Sequence, residues 1–567
     1  MAGGLIQLVS QGQQNIMLNG NPSKTFFKVL YKQYTNFGMQ KFRVDFEGNK
    51  TLKLTETSKF TFKIPRYAEL LMDTYVSVDL PTIWSPIIPP NQASVYETGG
   101  DYTTGEWIPY EFRWIEYIGA QMIQEVEITC GNQTLQKYSG AYLLAMVQRD
   151  FSTEKKELFN KMIGHTPEII DPGNMPPRVN AYPNAYYTGT LAGPEPSIRG
   201  RTLYIPLNTW FNLKTQMAFP LVALQYNELH INITFRPINQ LFQIRDVYDK
   251  TNNYPYVAPN FNVYYQQMYR FLQPPPDIDL GIGSYVDQRS IWNADIHLVC
   301  TYCFLSDDES RLFAMNEQKY IFKQVHEQAF YNVTGPNKVE LDSVSMIADY
   351  MFYFQRSDVN LRNEWSNYTN WPYRYIPQDI IPATTQGNYP IIRINASGEP
   401  TTVYIGPGVN PDGRLTGWFY TGNYNPQNAK DILVTLGILL DGNYRENLQP
   451  AGVYNYVEKY TRTSGNAPDG LYCYNFCFHT SPFDLQPSGA INMSLFNQIE
   501  LEFTTIIPSV NPFAQSLTIC DPANGNILAV NKPTWSIYDY NFNMYLMEER
   551  LNFITFVGGN CGLQYAT

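Results

Sequence analysis

The strand pattern of this chain is written twice, and that duplication constrains its fold more than any other feature. The stretch EVEITCGNQTLQKYSGAY sets Val126, Ile128 and Cys130 in alternation with Glu127 and Thr129 before Gly131-Asn132. ILVTLGILLDGNYRENLQPAGVY repeats it, with Val434, Leu436, Ile438 and Leu440 leading to Gly442-Asn443. A period of two sends alternate side chains to opposite faces of a strand, and both runs break at a residue pair that tolerates turn angles. Both then reach a Gly-x-Tyr, at Gly140 to Tyr142 and Gly452 to Tyr454. In a second block, NELHINITF places Leu229, Ile231, Ile233 and Phe235 opposite His230, Asn232 and Thr234, and NQIELEF places Ile499, Leu501 and Phe503 opposite Glu500 and Glu502. A third block pairs CTYCFLSDDESRLF with NFNMYLMEERLNF, each read as a strand running into an acidic turn and then Arg-Leu, at Arg311-Leu312 and Arg550-Leu551. The blocks keep one order in both halves, so a single strand arrangement is expected to be used twice.

The halves differ in length because the interval from Gly131 to Asn227 is much longer than that from Gly442 to Asn497. The excess falls in IGHTPEIIDPGNMPPRVNAYPNAYYTGTLAGPEPSIRG, whose Pro, Gly, Asn and Tyr read as long loop. Similar excursions run from Pro372 to Asn428 and from Asp246 to Tyr285. Ser306 and Glu309 have capping-box spacing, which predicts a short helix after a strand Ile296 to Leu305, bridging the halves. Short strands, turn signals and no long amphipathic helix indicate an all-β chain of two sandwiches. Its 567 residues suit that, since one sandwich reaches roughly 200 to 250 residues.

Charged residues are only 16% of the chain while aromatic residues reach 15%, so much of the surface is uncharged and Tyr-rich, a composition suited to extensive interfaces. A net charge of −11 without any cluster of Lys and Arg argues against direct nucleic-acid binding. Seven scattered cysteines read as free thiols in a reducing compartment. The opening stretch has no basic residue before Lys24, and Gln7, Ser10, Gln11, Gln13 and Gln14 interrupt its apolar run, which fits no secretory signal. Ala2 in place of glycine removes a myristoylation site. The segment reads as a retained arm.

MAGGLIQLV…LNGNPSKTFFKVLYKQYTNF at the start, YIPLNTWFNLKTQMAFPLVALQYNELHINITF, EWSNYTNW, LQPSGAINMSLFNQIELEF and the closing GGNCGLQY resemble the double jelly-roll major capsid proteins of nucleocytoplasmic large DNA viruses, block after block in matching order. The resemblance implies two tandem eight-stranded jelly rolls with long loops and short helices, divided as an arm 1–24, a first jelly roll 25–312 and a second 313–567. It implies three chains per capsomer and an icosahedral shell of hexagonally packed capsomers over an internal membrane. Minor capsid and penton proteins become expected partners, the arm contacting neighbours on the inner side. Synthesis and assembly in the host cytoplasm and residence in the virion follow from the same resemblance. The rival reading is a carbohydrate-binding or carbohydrate-active β-sandwich whose Tyr and Trp stack sugars; it leaves the duplication unexplained.

No catalytic, cofactor or metal residues are expected. Cys300, Cys303, Cys473, Cys477 and His479 are the zinc-like set, yet Cys300 and Cys303 face opposite sides of a strand, and Cys473 and Cys477 would lie about 13 Å apart along one. His165, His230, His297, His326 and His479 are scattered and lack a nucleophile motif. Asp307, Asp308, Glu309, Glu548 and Glu549 could be offered as glycosidase acids, but a place just after a strand favours helix capping. Asn332, Asn367 and Asn395 head N-x-[ST] sequons, weak pointers to glycans in a chain this rich in Asn, Ser and Thr.

Overall fold

A computed structural model describes residues 4–5, 12–48, 50–88, 108–109, 111–178, 181–185, 194–246, 255–276, 283–374, 389–394, 400–405, 408–409, 415–416, 429–509, 517–520, 527–531 and 538–565. The first barrel is built from β1 (Phe37–Asp45), β2 (Ser58–Lys63), β3 (Leu70–Leu80), β4 (Ile123–Cys130), β5 (Gln133–Tyr138), β6 (Arg201–Pro206), β7 (Phe219–Pro220), β8 (Leu229–Phe235) and β9 (His297–Leu305). One sheet runs β1-β9-β3, with β6 and β7 side by side along the far edge of β3, and the other runs β2-β8-β4-β5. The second barrel uses β10 (Gln318–Phe330), β11 (Pro336–Glu340), β12 (Met346–Arg356), β13 (Leu433–Leu440), β14 (Asn443–Pro450), β15 (Leu471–Asn475), β16 (Ile491–Asn492), β17 (Ile499–Thr505) and β18 (Phe542–Val557). Its sheets run β10-β18-β12 with β15 and β16 on the edge, and β11-β17-β13-β14. The order is the same in both, with all these pairs antiparallel, so the duplicated sequence is a duplicated jelly roll.

Alternation decides which faces meet inside each barrel. Leu229, Ile231, Ile233 and Phe235 are wholly buried on β8, as are Val126, Ile128 and Cys130 on β4, while His230, Asn232 and Thr234 are half-buried. Ile499, Leu501 and Phe503 are buried on β17, and Glu500, also buried, meets Lys338 at 2.6 Å. Val434 departs from the expected register. It is exposed while Leu433 is buried, because the β13–β17 ladder carries a bulge between Leu433 and Thr435, and a bulge flips the face.

Jelly-roll topology sorts the connections by end. Successive strands reverse direction, so the β1–β2, β3–β4, β5–β6 and β8–β9 connections share one end and the intervening turns share the other. In the first barrel the long connections β3–β4, β5–β6 and β8–β9 all leave and return at the first end, as do β12–β13 and β17–β18 in the second barrel. At this end the excursions of both barrels meet, through Ala258 N to Leu361 O at 2.8 Å and the Tyr373 hydroxyl to Tyr256 O at 2.8 Å. The opposite end holds the tight turns Gly131-Asn132 and Gly442-Asn443, the start of β1 and the end of β9. The described part of the arm therefore leaves at the short-turn end. Between the arm and β1, Phe26, Phe27, Leu30, Tyr31 and Tyr34 are exposed.

Three helices stand out among the strands. The predicted bridge is α3 (Asp307–Met315), with Ser306 at its N-cap position but no side-chain capping bond, so the helix forms without the reciprocal box. Two more lie outside the sequence expectations, α1 (Gly140–Asp150) and α2 (Thr153–Met162). Ser139 caps α1 by accepting from Tyr142 N at 3.1 Å. Gly140 is required there, since a β-carbon would stand 2.0 Å from Ala120 O. The run YLLAMV is buried on every side, so it shows no amphipathic period to read.

Candidate functional site: the joint between the barrels

The sheet containing β12 and β18 is covered on both faces, which is why β12 reads as an unbroken run of buried residues. Tyr350, Phe352 and Phe354 point into the second barrel, and Met351, Tyr353 and Met547 point at the first. Aromatic pairs cross the joint: Trp210 with Phe322 at 4.8 Å between ring centres, and Phe219 edge-on to Phe556 at 5.0 Å. On the first barrel the contact side is β5 and α1; on the second it is β10, with Gln136 donating to Lys323 O at 3.4 Å and Ser139 Oγ to Glu327 Oε1 at 2.8 Å.

At the centre lies a buried ionic cluster. Arg149, at the end of α1, donates through Nη1 to Asp349 Oδ1 of β12 at 2.6 Å and through Nη2 to Glu549 Oε1 of β18 at 2.9 Å and Asp150 Oδ2 at 2.7 Å. Lys323 of β10 donates to Glu549 Oε2 at 2.5 Å, Asp349 Oδ2 at 3.3 Å and Thr480 O at 2.9 Å. The Tyr142 hydroxyl completes Glu549 at 2.9 Å, and Thr480 Oγ1 donates to Asp150 Oδ1 at 2.5 Å. A cavity of about 70 Å³ lined by Trp210, Lys323, Cys477 and Glu549 opens beside it.

Three carboxylates face two cations, so the cluster carries one excess negative charge when all are ionised, and loss of water makes that costly. Burial pushes Asp349 up to about 7, against the pull of Arg149 and with the help of Glu549's charge. Burial also pushes Glu549 upward, but Arg149 and Lys323 outweigh it and hold the group well below the usual carboxylate range. The two carboxyls thus titrate as a pair, with burial favouring the proton on Asp349 and the two cations keeping Glu549 ionised. The arrangement has the chemistry of a clamp: it fixes the register of α1 against β12 and β18.

Glu548 and Glu549 correct the sequence reading. They do not follow a strand but sit in the middle of β18, which continues to Val557. Glu548 is paired with Arg550 at 2.8 Å and accepts from Ser343 Oγ. Their similarity to Asp307, Asp308 and Glu309 is local; those three do occupy the first turn of α3. The remaining residues singled out stay apart. Cys300 and Cys303 lie in separate apolar clusters, Cys473 packs between the barrels, and burial pushes Cys300 and Cys473 up to about 12 and Cys477 up to about 11. His479 is exposed, His165 stacks on Tyr117 at 3.8 Å, His297 Nδ1 meets Asp295 O at 2.7 Å, His230 is on the outer face of β8, and burial lowers His326. Among the described residues no group of three or more His, Cys, Asp and Glu is placed to hold a metal ion. Asn367 is buried, its amide donating to Trp371 O at 2.9 Å, so that sequon is closed to a glycan. Asn332 is exposed, and Asn395 lies outside the described residues.

Comparison with known proteins agrees along nearly the whole chain. Residues 25–297 match the family model described as major capsid protein N-terminus, and residues 309–547 match that of the large eukaryotic DNA virus major capsid protein. The major capsid protein of Phaeocystis pouchetii virus is 24% identical over 96% of this chain and 97% of its own length. That of Paramecium bursaria Chlorella virus 1 is 24% identical over 100% of both. Among solved structures, a quasi-atomic model of the PBCV-1 virus capsid superposes with a TM-score of 0.57 at 19% identity, covering 96% of this chain and 100% of that one. The Faustovirus major capsid protein superposes with a TM-score of 0.56 at 12% identity, covering 97% and 96%. The carbohydrate reading finds no support among them. Two like barrels locked side by side, matched in both halves by these families, make the chain a member of the major capsid proteins of large eukaryotic DNA viruses, a structural component of the virion shell.

Proposed function

We propose that three copies close into a capsomer of near-sixfold outline, with boundaries at residues 24 and 312 separating the arm and the two jelly rolls. One observation carries this. Inside the chain, the β5 and α1 side of the first barrel is covered by the β10 side of the second, whereas the equivalent faces at the two outer ends are bare. In the second barrel, Tyr444 and Leu448 on β14, and Tyr456, Val457 and Tyr460 on the helical segment 453–462, are exposed. In the first barrel, Phe37 and Met39 on β1 are exposed. Repeating the internal contact between chains joins these bare faces head to tail, and a ring of six barrels closes it.

The long-loop end then faces outward and the short-turn end inward. The arm and the exposed aromatic stretch that follows it lie at the inner side, beside neighbouring capsomers, minor capsid and penton proteins and an internal membrane. The acidic chain leaves nucleic acid to other components, assembly takes place in the host cytoplasm, and the role is structural, not enzymatic. Native mass measurement of the purified chain tests the ring: a trimer is expected, and a monomer at micromolar concentration overturns the reading.

A further inference from the structure

The closing GGNCGLQY extends the second barrel's sheet with a hairpin that has no counterpart among the strands described above. Gly558 and Gly559, with φ of +59° and +83°, form a tight turn from β18 into β19 (Asn560–Leu563), which folds back along β18. This hairpin reaches across to the first barrel. Gly559 O accepts from Gln225 N at 2.8 Å and Tyr226 N at 3.2 Å, and Leu563 N donates to Gln133 Oε1 at 3.2 Å. A β-carbon on Gly559 would stand 2.7 Å from Gln225 Cβ, so the approach is close. Opposite the hairpin, β4 ends at Cys130, with Leu229 and Gln133 as its ladder neighbours. The buried thiols of Cys130 and Cys561 lie against each other there.

We propose that Cys130 and Cys561 form a redox latch, a thiol pair that closes to a disulfide and ties the C-terminal hairpin of the second barrel to the first. Four others stand apart: Cys300 and Cys303 are on opposite faces of β9, and Cys473 and Cys477 flank the ionic joint. The step needs a low-molecular-weight disulfide as oxidant. Cys130, held below the ordinary thiol range by its bond to Cys561 and by Arg66, attacks as the thiolate and forms a mixed disulfide, releasing one small thiolate. Cys561 then gives up its proton and displaces the second small thiol from Cys130. Two protein thiols are oxidised, one small disulfide is reduced to two thiols, and the protons leave on those thiols. A shell protein made in a reducing compartment and carried outside it meets such an oxidant after assembly, and the latch spans most of the chain, so its closure restricts the unfolded state strongly.

The test uses the full chain, incubated with oxidised glutathione either in buffer or in urea below the unfolding midpoint, which opens the hairpin, then alkylated, digested and weighed. The expected result is a Cys130–Cys561 linked peptide in at least one condition, with an upward shift in melting temperature that reductant reverses. Cys561→Ala should abolish the shift. Free, alkylated Cys130 and Cys561 in both conditions overturn the proposal, as does linkage of either to another cysteine. The linked-peptide readout comes from the unsubstituted chain and does not depend on the variant folding.

Discussion

Arg149 shows what one residue is asked to do here. Its guanidinium is wholly buried and divides its donors among Asp150, Asp349 and Glu549, drawn from α1, β12 and β18. Removing it would strand carboxylates in a dry joint, a loss typically of about 3 to 5 kcal/mol, whereas a pair exposed at the surface contributes about 1 kcal/mol or less. The upward shift of Asp349 makes this pH-dependent. Its folded value of about 7 lies above the ordinary aspartate value, so its contribution is full in acid and is lost as pH rises through 7. Glu549 has the opposite sign, its contribution present above the ordinary glutamate range and lost in strong acid. Melting temperature should therefore fall between about pH 4 and about pH 7, and Asp349→Asn should flatten that slope; an unchanged slope in the variant refutes the assignment. In the barrel cores the expectation is steric. Ile231→Ala or Phe503→Ala should cost about 2 to 5 kcal/mol in urea denaturation and Asn232→Ala under about 1 kcal/mol, and equal costs would mean the register is wrong.

At the level of elements, the unequal exposure of equivalent strands is the informative quantity. β5 and β14 hold the same place in their barrels, yet β5 is mostly covered and β14 mostly bare. Leu448→Asp combined with Tyr460→Asp should leave the chain folded with an unchanged melting temperature but monomeric in native mass measurement, since a charge in the core of an interface is strongly disfavoured. A persistent trimer would move the interface elsewhere. The arm is the second such element. Its described part makes no buried contact with the barrels, so deleting residues before Lys24 should leave the melting temperature within a degree or two of the full chain while impairing shell assembly. A large fall in melting temperature would show that the arm belongs to the fold.

For the whole molecule, the two ends differ because jelly-roll connections alternate. All the long connections leave and return at one end, and the start of β1, the bridge α3 and the C-terminal hairpin gather at the other. A molecule polarised in this way suits a shell, whose outer surface tolerates projecting loops while its flanks must tile. A map of the assembled particle should place residues 163–200 and 372–428 on the exterior, and finding them between neighbouring capsomers would invert the orientation. The buried joint matters at this scale too, since a hinge between barrels would blur the near-sixfold outline that tiling needs.

The strand pattern and its duplication were legible without coordinates because they are local: Leu229, Ile231, Ile233 and Phe235 announce their face by spacing alone. The helix α1 was not legible, since a segment buried on all sides has no periodicity to betray it. Nor was the joint. Arg149, Lys323, Asp349 and Glu549 stand far apart in the chain, and Glu548-Glu549 looked like turn acids because an unpaired carboxylate belongs in water. Burial of such a charge becomes tolerable only once opposite charges and donors converge on it, and that convergence exists nowhere but in the folded arrangement of the two barrels. The alternation of side chains thus determined two jelly rolls, and the tertiary structure alone decided how they are locked together, which faces remain bare and which thiols meet.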